Sequence, residues 1–238
     1  KFRGSSTEGF PKRPYSLELR RDDSEQDRSI ALLGMAADAD WVLQGPYTYD
    51  RSLNRNALIY ELSNQVGRHA SQTRYVEVFV NTNDDQLAAD DYMGIYLLIE
   101  KINRGTERVD VEKLSSKFTE EPEISGGYII KIDRRDPGDR GFRAGGVICA
   151  TCLSYVDPKE AEILQRPEQE AYLNNYIDQF AEALYDPTFT HPTLGLHYGQ
   201  WIDIQSWVDH HLLNELMLNV DALRLSAYLH KPKGGKLA

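Results

Sequence analysis

The first residues that suggest chemistry lie near the start of the chain. Arg3-Gly4-Ser5-Ser6 precedes Lys12, which stands just before a predicted strand. Glycine lets the backbone approach phosphate oxygens closely, and serine hydroxyls and exposed amides can donate hydrogen bonds to them. Lysine adds a positive point charge. The pattern is compatible with phosphate binding, although by itself a glycine-serine loop before a strand is usually only a loop.

A second stretch of interest runs from Asn214 to Ser226. Asp221 falls where a predicted helix gives way to a loop, so its carboxylate could bind a metal ion or accept a proton. Ser226 follows five residues later. That spacing matches Asp and Asn in the H-R-D-x-x-x-x-N loop of protein kinases, with Ser in place of Asn. The alternative is a helix C-terminus that polar residues cap.

Three further charged residues could belong to a phosphate site. Glu61 lies within a predicted helix, where a kinase glutamate would pair with the phosphate-binding lysine. Its ordinary alternative is a solvent-exposed position. Glu100 and Lys101 end a predicted strand, and the pair could face a nucleotide or simply close the strand.

Other constellations are weaker. The adjacent His210 and His211 lack an H-E-x-x-H pattern and do not predict a zinc site. The acidic loop at residues 83–91 lacks the pattern of a calcium loop. Neither a Walker A motif, a G-x-G-x-x-G motif nor a G-x-S-x-G motif occurs, so the common nucleotide and hydrolase signatures are missing.

Composition limits the classes to which the chain can belong. It has 238 residues, a net charge of −10, 41% hydrophobic and 10% aromatic residues, which argues for a folded globular protein rather than a disordered one. The negative charge argues against coating nucleic acid, and no apolar run approaches the ~20 residues of a membrane span. The only cysteines, Cys149 and Cys152, form a lone C-x-x-C, which we interpret as a structural or incidental pair.

The elements that must hold these residues follow from hydrophobic periodicity. Strand patterns are followed by helical ones, which predicts an α+β protein with two lobes that divide near residues 134–158. In the last predicted helix, Val208, Leu212 and Leu216 are expected to pack into the core and so fix Asp221. One antiparallel sheet is predicted from residues 14–20, 75–80, 95–101 and 128–133, and helices over about 51–66, within 158–184 and over 203–220.

A series of short motifs occurs in one order along nearly the whole chain. They are Phe2–Ser6, Phe10–Lys12, Leu33–Met35, Ala39–Leu43, Gly45–Tyr47, Arg55–Asn56, Gly94–Lys101, Gly126–Tyr128, Lys131–Asp133 and Asn214–Asp221. Together they resemble the CotH kinase family, which comprises spore coat protein H-like atypical kinases and secreted or surface-associated relatives.

The resemblance implies ATP-dependent phosphoryl transfer to Ser or Thr of a protein, with Mg²⁺ or Mn²⁺. It implies an atypical protein-kinase-like fold in a single domain over residues 1–238. A mainly β lobe would occupy residues 1–133 and a mainly helical, C-terminally incomplete lobe residues 134–238. The expected partner is a coat or surface protein, without nucleic acid or a membrane span. The expected location is extracellular or on the spore surface, with the cytoplasm as the alternative.

The resemblance also implies roles for individual residues. Asp221 would be the catalytic aspartate and, with Ser226, a metal ligand. Glu61 is expected to pair with Lys12 by analogy with the helix glutamate of protein kinases, and not because it belongs to a matched motif. The residues expected at the nucleotide are Arg3, Gly4, Ser5, Ser6, Lys12, Glu100 and Lys101.

Two departures from the family pattern leave other functions open. Ser226 stands where the kinase pattern has Asn, and the sequence ends at Ala238, before the family's W-D-F-D-like segment whose Asp would hold metal. The runner-up is a non-catalytic secreted or coat-assembly scaffold that keeps the fold. A third reading, a carbohydrate-binding or adhesion domain, draws on the aromatic content and the acidic loop.

Overall fold

The chain forms two compact units, Lys1–Ile102 and Asn103–Ala238. Both contain antiparallel sheets and helices, which confirms the predicted α+β class. The boundary between the units lies earlier than residue 133, the predicted end of the β lobe. The computed structural model describes residues 1–4, 7, 9–22, 24–83, 85–134, 141–142, 153–222 and 224–238.

The first unit is built on four antiparallel strands and one α-helix. The elements are β1 (Tyr15–Glu18), β2 (Asp40–Gln44), α1 (Arg55–Gln65), β3 (Thr73–Phe79) and β4 (Tyr92–Glu100). The strand order is β1-β2-β4-β3, so β4 is hydrogen-bonded on both sides. The last five residues of β4 are buried, which explains why this strand reads as a continuous apolar run and not as an alternating one.

The two faces of this sheet pack against different parts of the unit. Because successive strand residues point to opposite faces, β4 contributes Leu98 to one face and Leu97 and Ile99 to the other. The Leu98 face packs against Met35 and Trp41. The opposite face, with Leu97, Ile99 and Val42, packs against Ala57 and Tyr60 of α1.

The second unit combines a three-stranded antiparallel sheet of order β6-β5-β7 with helices. Its elements are β5 (Tyr128–Ile132), β6 (Leu153–Asp157), α2 (Glu160–Ile163), α3 (Pro167–Tyr185), α4 (Ile204–Leu216) and β7 (Ala227–Lys231). Leu173, Ile177 and Phe180 of α3 join Ile130 and Leu153 of the sheet in one hydrophobic core. No helix in the described ranges is long and apolar enough to cross a membrane.

Two predictions of secondary structure need correction. The strand predicted over residues 128–133 does not join the first sheet, because β5 is paired on both sides within the second unit, by β6 and β7. The helix predicted over 203–220 ends at Leu216, and Leu218 has a φ of 50°, a left-handed conformation that ends helices. Asp221 therefore lies in a turn beyond the helix.

A lysine lies in the core of the second unit. Lys231 is only 2% exposed, and its ammonium donates hydrogen bonds to the carbonyl oxygens of Ser125 and Gly235. It also lies 4.5 Å from the ring centroid of Tyr176, a cation–π contact. Burial lowers the pKa of Lys231 from 10.5 to about 8. The end of β7 is thus held by a cation that burial makes easier to deprotonate.

This burial predicts an unusual pH dependence of stability. Between about pH 8 and pH 10.5 the unfolded chain binds more protons at Lys231 than the folded chain does, so the free energy of unfolding should rise with pH there. The free energy of unfolding, measured with urea across this pH range, should therefore rise more steeply for the unchanged chain than for Lys231→Met. Lys117→Met, at an exposed lysine, is the control and should keep the steeper rise. Identical pH profiles for the unchanged chain and Lys231→Met would contradict the assignment.

Candidate active site

Backbone pairing holds the N-terminal segment beside the entry to β1. The amide of Arg3 donates to the carbonyl of Pro14 at 3.1 Å, and the amide of Ser16 donates to the carbonyl of Lys1 at 2.9 Å. Gly4 has a φ of 90°, and a Cβ there would lie 2.1 Å from Oγ1 of Thr7. Lys1, Phe2 and Arg3 therefore pair with the backbone at residues 14–16, and Gly4 follows directly, while Ser5 and Ser6 fall outside the described residues.

The side chain of Lys12 lies over an aromatic ring on the sheet. Its Nζ is 5.1 Å from the ring centroid of Tyr96 in β4. Gly45 leaves room for it, because a Cβ there would lie 3.1 Å from Cγ of Lys12, and Gly94 lies beside the ammonium, where a Cβ would be 3.9 Å from Nζ, an ordinary contact. The spacing of Gly94 and Tyr96, two apart on one strand face, is the sequence signal that could have identified this site.

The charge of Lys12 is not balanced by any residue that the structure describes. Lys12 forms no ion pair with any described carboxylate, and partial burial lowers its pKa. Tyr96 is fully buried, its hydroxyl has no hydrogen-bond partner in the described part of the chain, and burial raises its pKa to about 12. A half-buried cation without a counter-charge is suited to an anionic ligand such as phosphate.

The predicted ion pair between Lys12 and Glu61 is not formed. Glu61 is exposed on α1, and its Oε1 accepts a hydrogen bond from Gln65 at 2.8 Å. Helix α1 packs on the Leu97 face of the sheet, whereas Lys12 lies over Tyr96, which belongs to the opposite face. The sheet thus separates the two side chains, which is why the pair carried over from the kinase pattern is not formed.

Glu100 and Lys101 have different surroundings. Glu100 is 2% exposed, its Oε2 accepts from the amide of Gln72 at 2.9 Å, and its Oε1 has no partner among the described residues. By strand alternation Glu100 shares a face with Tyr96. Lys101 points to the other face and pairs with Asp40 at 2.9 Å. A role near the nucleotide stays a prediction for both residues.

A chain of amide hydrogen bonds positions the turn that carries Asp221. Asn214 of α4 is 6% exposed, and its Nδ2 donates to the carbonyl of His210 at 2.8 Å. Its Oδ1 accepts from Nδ2 of Asn219 at 2.8 Å. In turn, Oδ1 of Asn219 accepts from the amide of Asp221 at 3.2 Å. The buried amide of Asn214 is therefore connected, through Asn219, to the backbone of Asp221.

The carboxylate of Asp221 points out of this turn. Its side chain is 52% exposed, and Oδ1 lies 2.9 Å from Nη2 of Arg224. Ser226, also exposed, ends the turn with a φ of 56° just before β7. Sequence reasoning identified Asp221 and Ser226 but missed Asn214 and Asn219 as supports. An exposed carboxylate on a fixed backbone can accept a proton or bind a cation.

The apolar stripe that was expected to hold this helix in the core does not do so. Val208, Leu212 and Leu216 are 43%, 60% and 66% exposed. Helix α4 is instead attached through Asn214 and through Trp207, whose Nε1 donates to the carbonyl of Leu237 at 3.2 Å. Periodicity correctly predicted the helix but assigned the wrong residues to its packing.

The histidine, cysteine and acidic-loop candidates do not add a further site among the described residues. Within the described ranges, no three or more His, Cys, Asp or Glu side chains gather where they could hold a metal ion. His210 serves as a neighbour of Asn214, with Nε2 3.2 Å from its Nδ2. Cys149, Cys152 and Asp84 of the acidic loop lie outside the described residues.

Loss of the buried amide should destabilise the turn. Asn214→Ala removes two hydrogen bonds of the buried side chain, the one to the carbonyl of His210 and the one from Nδ2 of Asn219, which should lower the free energy of unfolding by about 1–3 kcal/mol. Gln205→Ala, at an exposed position of the same helix, is the control and should change it by less than about 0.5 kcal/mol. Urea unfolding measures both changes. If Asn214→Ala were as stable as the unchanged chain, the hydrogen bonds of Asn214 would not stabilise the turn.

Comparison with known proteins gives one positive result. The family model described as CotH kinase protein matches residues 1–238, the whole chain. Searches of curated proteins and of solved structures found no match. The chain therefore belongs to the CotH kinase family, as its motifs predicted, and this membership supports a kinase-like transferase at the level of the family.

Proposed function

We propose that this CotH kinase family member transfers the γ-phosphoryl group of ATP to a Ser or Thr hydroxyl of a protein. Family membership supports the class of reaction. The observation that carries the proposal for this chain is the exposed carboxylate of Asp221 on a turn connected to a buried amide. Phosphoryl transfer depends on positioning and on charge neutralisation, and a fixed turn supplies positioning.

The proposed step assigns Asp221 as the proton acceptor. The substrate hydroxyl oxygen forms a bond to the γ-phosphorus, and the bond from that phosphorus to the bridging oxygen breaks. ADP leaves with the electron pair of that bond, and the hydroxyl proton passes to the carboxylate of Asp221. A positioned general base of this kind typically accounts for about 10²–10⁴-fold in rate.

The first unit is proposed to bind the phosphates of ATP. The ammonium of Lys12 has no described counter-charge, so phosphate oxygens can neutralise it. The segment Arg3–Ser6 would add backbone donors, and Gly4 has the left-handed conformation that lets a backbone bend sharply. Glu100 and Lys101 are proposed to lie near the nucleotide, and Glu61 is no longer assigned to Lys12.

The residues present fit a metal ion held mainly by the nucleotide. Mg²⁺ commonly binds one or two carboxylates and takes its remaining ligands from phosphates and water. Asp221 and Ser226 offer one carboxylate and one hydroxyl, which suits Mg²⁺ or Mn²⁺ delivered with ATP and not a dedicated protein cage. When bound, such an ion neutralises charge on the phosphates.

The proposal includes a domain organisation, a class of substrate and a location. We propose that residues 1–238 form one kinase-like domain with a β-rich lobe followed by a helical one. The proposed substrate is a coat or surface protein, and the proposed location is extracellular or on the spore surface. Family membership supports these assignments.

Two observations favour the alternative of a non-catalytic scaffold. Ser226 replaces the Asn of the kinase pattern, and the described residues offer no cluster of three metal-binding side chains. Because a hydroxyl binds Mg²⁺ more weakly than the amide oxygen of Asn, a domain of this kind could keep its fold and bind nucleotide without turnover. Measured phosphoryl transfer separates the two functions.

Replacement of the proposed base should remove transfer without unfolding the protein. Asp221→Asn keeps the size of the side chain and an oxygen that can accept from Arg224, but it cannot take the proton. Phosphate incorporation from ATP into Ser/Thr peptides, measured by mass spectrometry, should fall by about 10²-fold or more at an unchanged melting temperature. Asp209→Asn on α4 is the control and should retain activity.

Two outcomes would count against this proposal. A folded Asp221→Asn variant that transfers phosphate at the original rate would exclude Asp221 as the base. If the unchanged chain transfers no phosphate to any peptide of the set with either metal, the scaffold alternative is favoured.

A further inference from the structure

The turn that presents Asp221 also presents a cation. Nη2 of Arg224 lies 2.9 Å from Oδ1 of Asp221, and the arginine side chain is 66% exposed. Among the described residues, this is the one contact of its five guanidinium N–H donors. Most of its hydrogen-bonding capacity therefore faces solvent beside the proposed base.

The backbone keeps the two residues together. The amides of Arg224 and Leu225 donate to the carbonyl of Asp221 at 3.3 and 3.0 Å. The turn that Asn214 and Asn219 hold in place for Asp221 therefore holds the backbone of Arg224 as well. Only the long side chain of Arg224 is left to change partner.

The present partner is one that the guanidinium can leave easily. Both side chains of the pair are more than half exposed, and ion pairs in that situation contribute little because water and salt screen them. A terminal phosphate carries more charge than a carboxylate and can accept two parallel N–H bonds from one guanidinium. A phosphate that comes within reach would therefore compete successfully with Asp221.

The proposed reaction brings such a phosphate within reach. A hydroxyl that gives its proton to Asp221 is hydrogen-bonded to it, and the phosphorus that it attacks lies about 3–3.5 Å from the hydroxyl oxygen. The γ-phosphoryl group is then within the span of an arginine side chain that starts three residues from Asp221. Positive charge at that position stabilises charge on the transferring group.

We propose that Arg224 moves from Asp221 to the γ-phosphoryl group of ATP when the nucleotide binds. This inference rests on the proposed function and adds a residue that determines which nucleotide is bound tightly. Without ATP, Arg224 neutralises Asp221. With ATP, it contacts the γ-phosphate and leaves the carboxylate of Asp221 available to the hydroxyl.

Calorimetry with ATP and with ADP, each with Mg²⁺, tests the inference without any need for turnover. The variant Arg224→Gln keeps a polar side chain but removes the charge. The control is Arg20→Gln, because Arg20 is also exposed and pairs with a carboxylate, that of Glu18, at 2.9 Å. A third variant, Lys12→Ala, reports on the nucleotide site itself, and melting temperatures check that each variant folds.

The expected result is a loss of affinity for ATP but not for ADP. Arg224→Gln should weaken ATP binding by about 10- to 100-fold, the range for a hydrogen bond between charged groups, and leave ADP binding within about twofold. Arg20→Gln should change neither affinity, and Lys12→Ala should weaken both.

Other results would overturn the inference. If Arg224→Gln binds ATP and ADP in the same ratio as the unchanged chain while Lys12→Ala weakens both, Arg224 only closes the turn, and the proposed function stands. If the unchanged chain binds neither nucleotide, the proposed function fails and this inference fails with it.

Discussion

The position of the turn that carries Asp221 depends on the buried side chain of Asn214. A buried amide must satisfy its donors and acceptor, and here it does so by joining the carbonyl of His210 to the side chain of Asn219. Asn219 then holds the backbone of Asp221. Val208, Leu212 and Leu216 of α4 are exposed, so the helix is held by Trp207, which packs against the core, and these polar contacts connect it to the turn that carries Asp221.

In the first unit, Lys12 is a cation for which the described residues provide no counter-charge. Gly45 leaves the space that Lys12 and Tyr96 occupy beside it. The ring favours the ammonium, yet no described carboxylate neutralises it. Lys12 in the first unit is therefore suited to bind an anion.

The sequence predicted these features to different degrees. The sequence patterns predicted three strands of the first sheet, β1, β3 and β4, but not β2 as its member, and the ordered motifs predicted the family. Local patterns do not specify pairing between distant segments, so β5 was placed in the wrong sheet. The Glu61 pair was transferred from kinases without knowledge of the face on which α1 packs. The role of Asn214 could not be read from periodicity, because a polar residue on a helix usually faces solvent.

The most direct test of the central claim is the steady-state kinetics of Asn219→Ala. Asn219 is exposed, so the variant should fold, but it removes the acceptor for the amide of Asp221. If this hydrogen bond positions the base, kcat should fall by about tenfold or more while KM for ATP changes by less than about twofold. A folded Asn219→Ala variant with an unchanged kcat would contradict the claim that the amide chain from Asn214 positions Asp221 for catalysis.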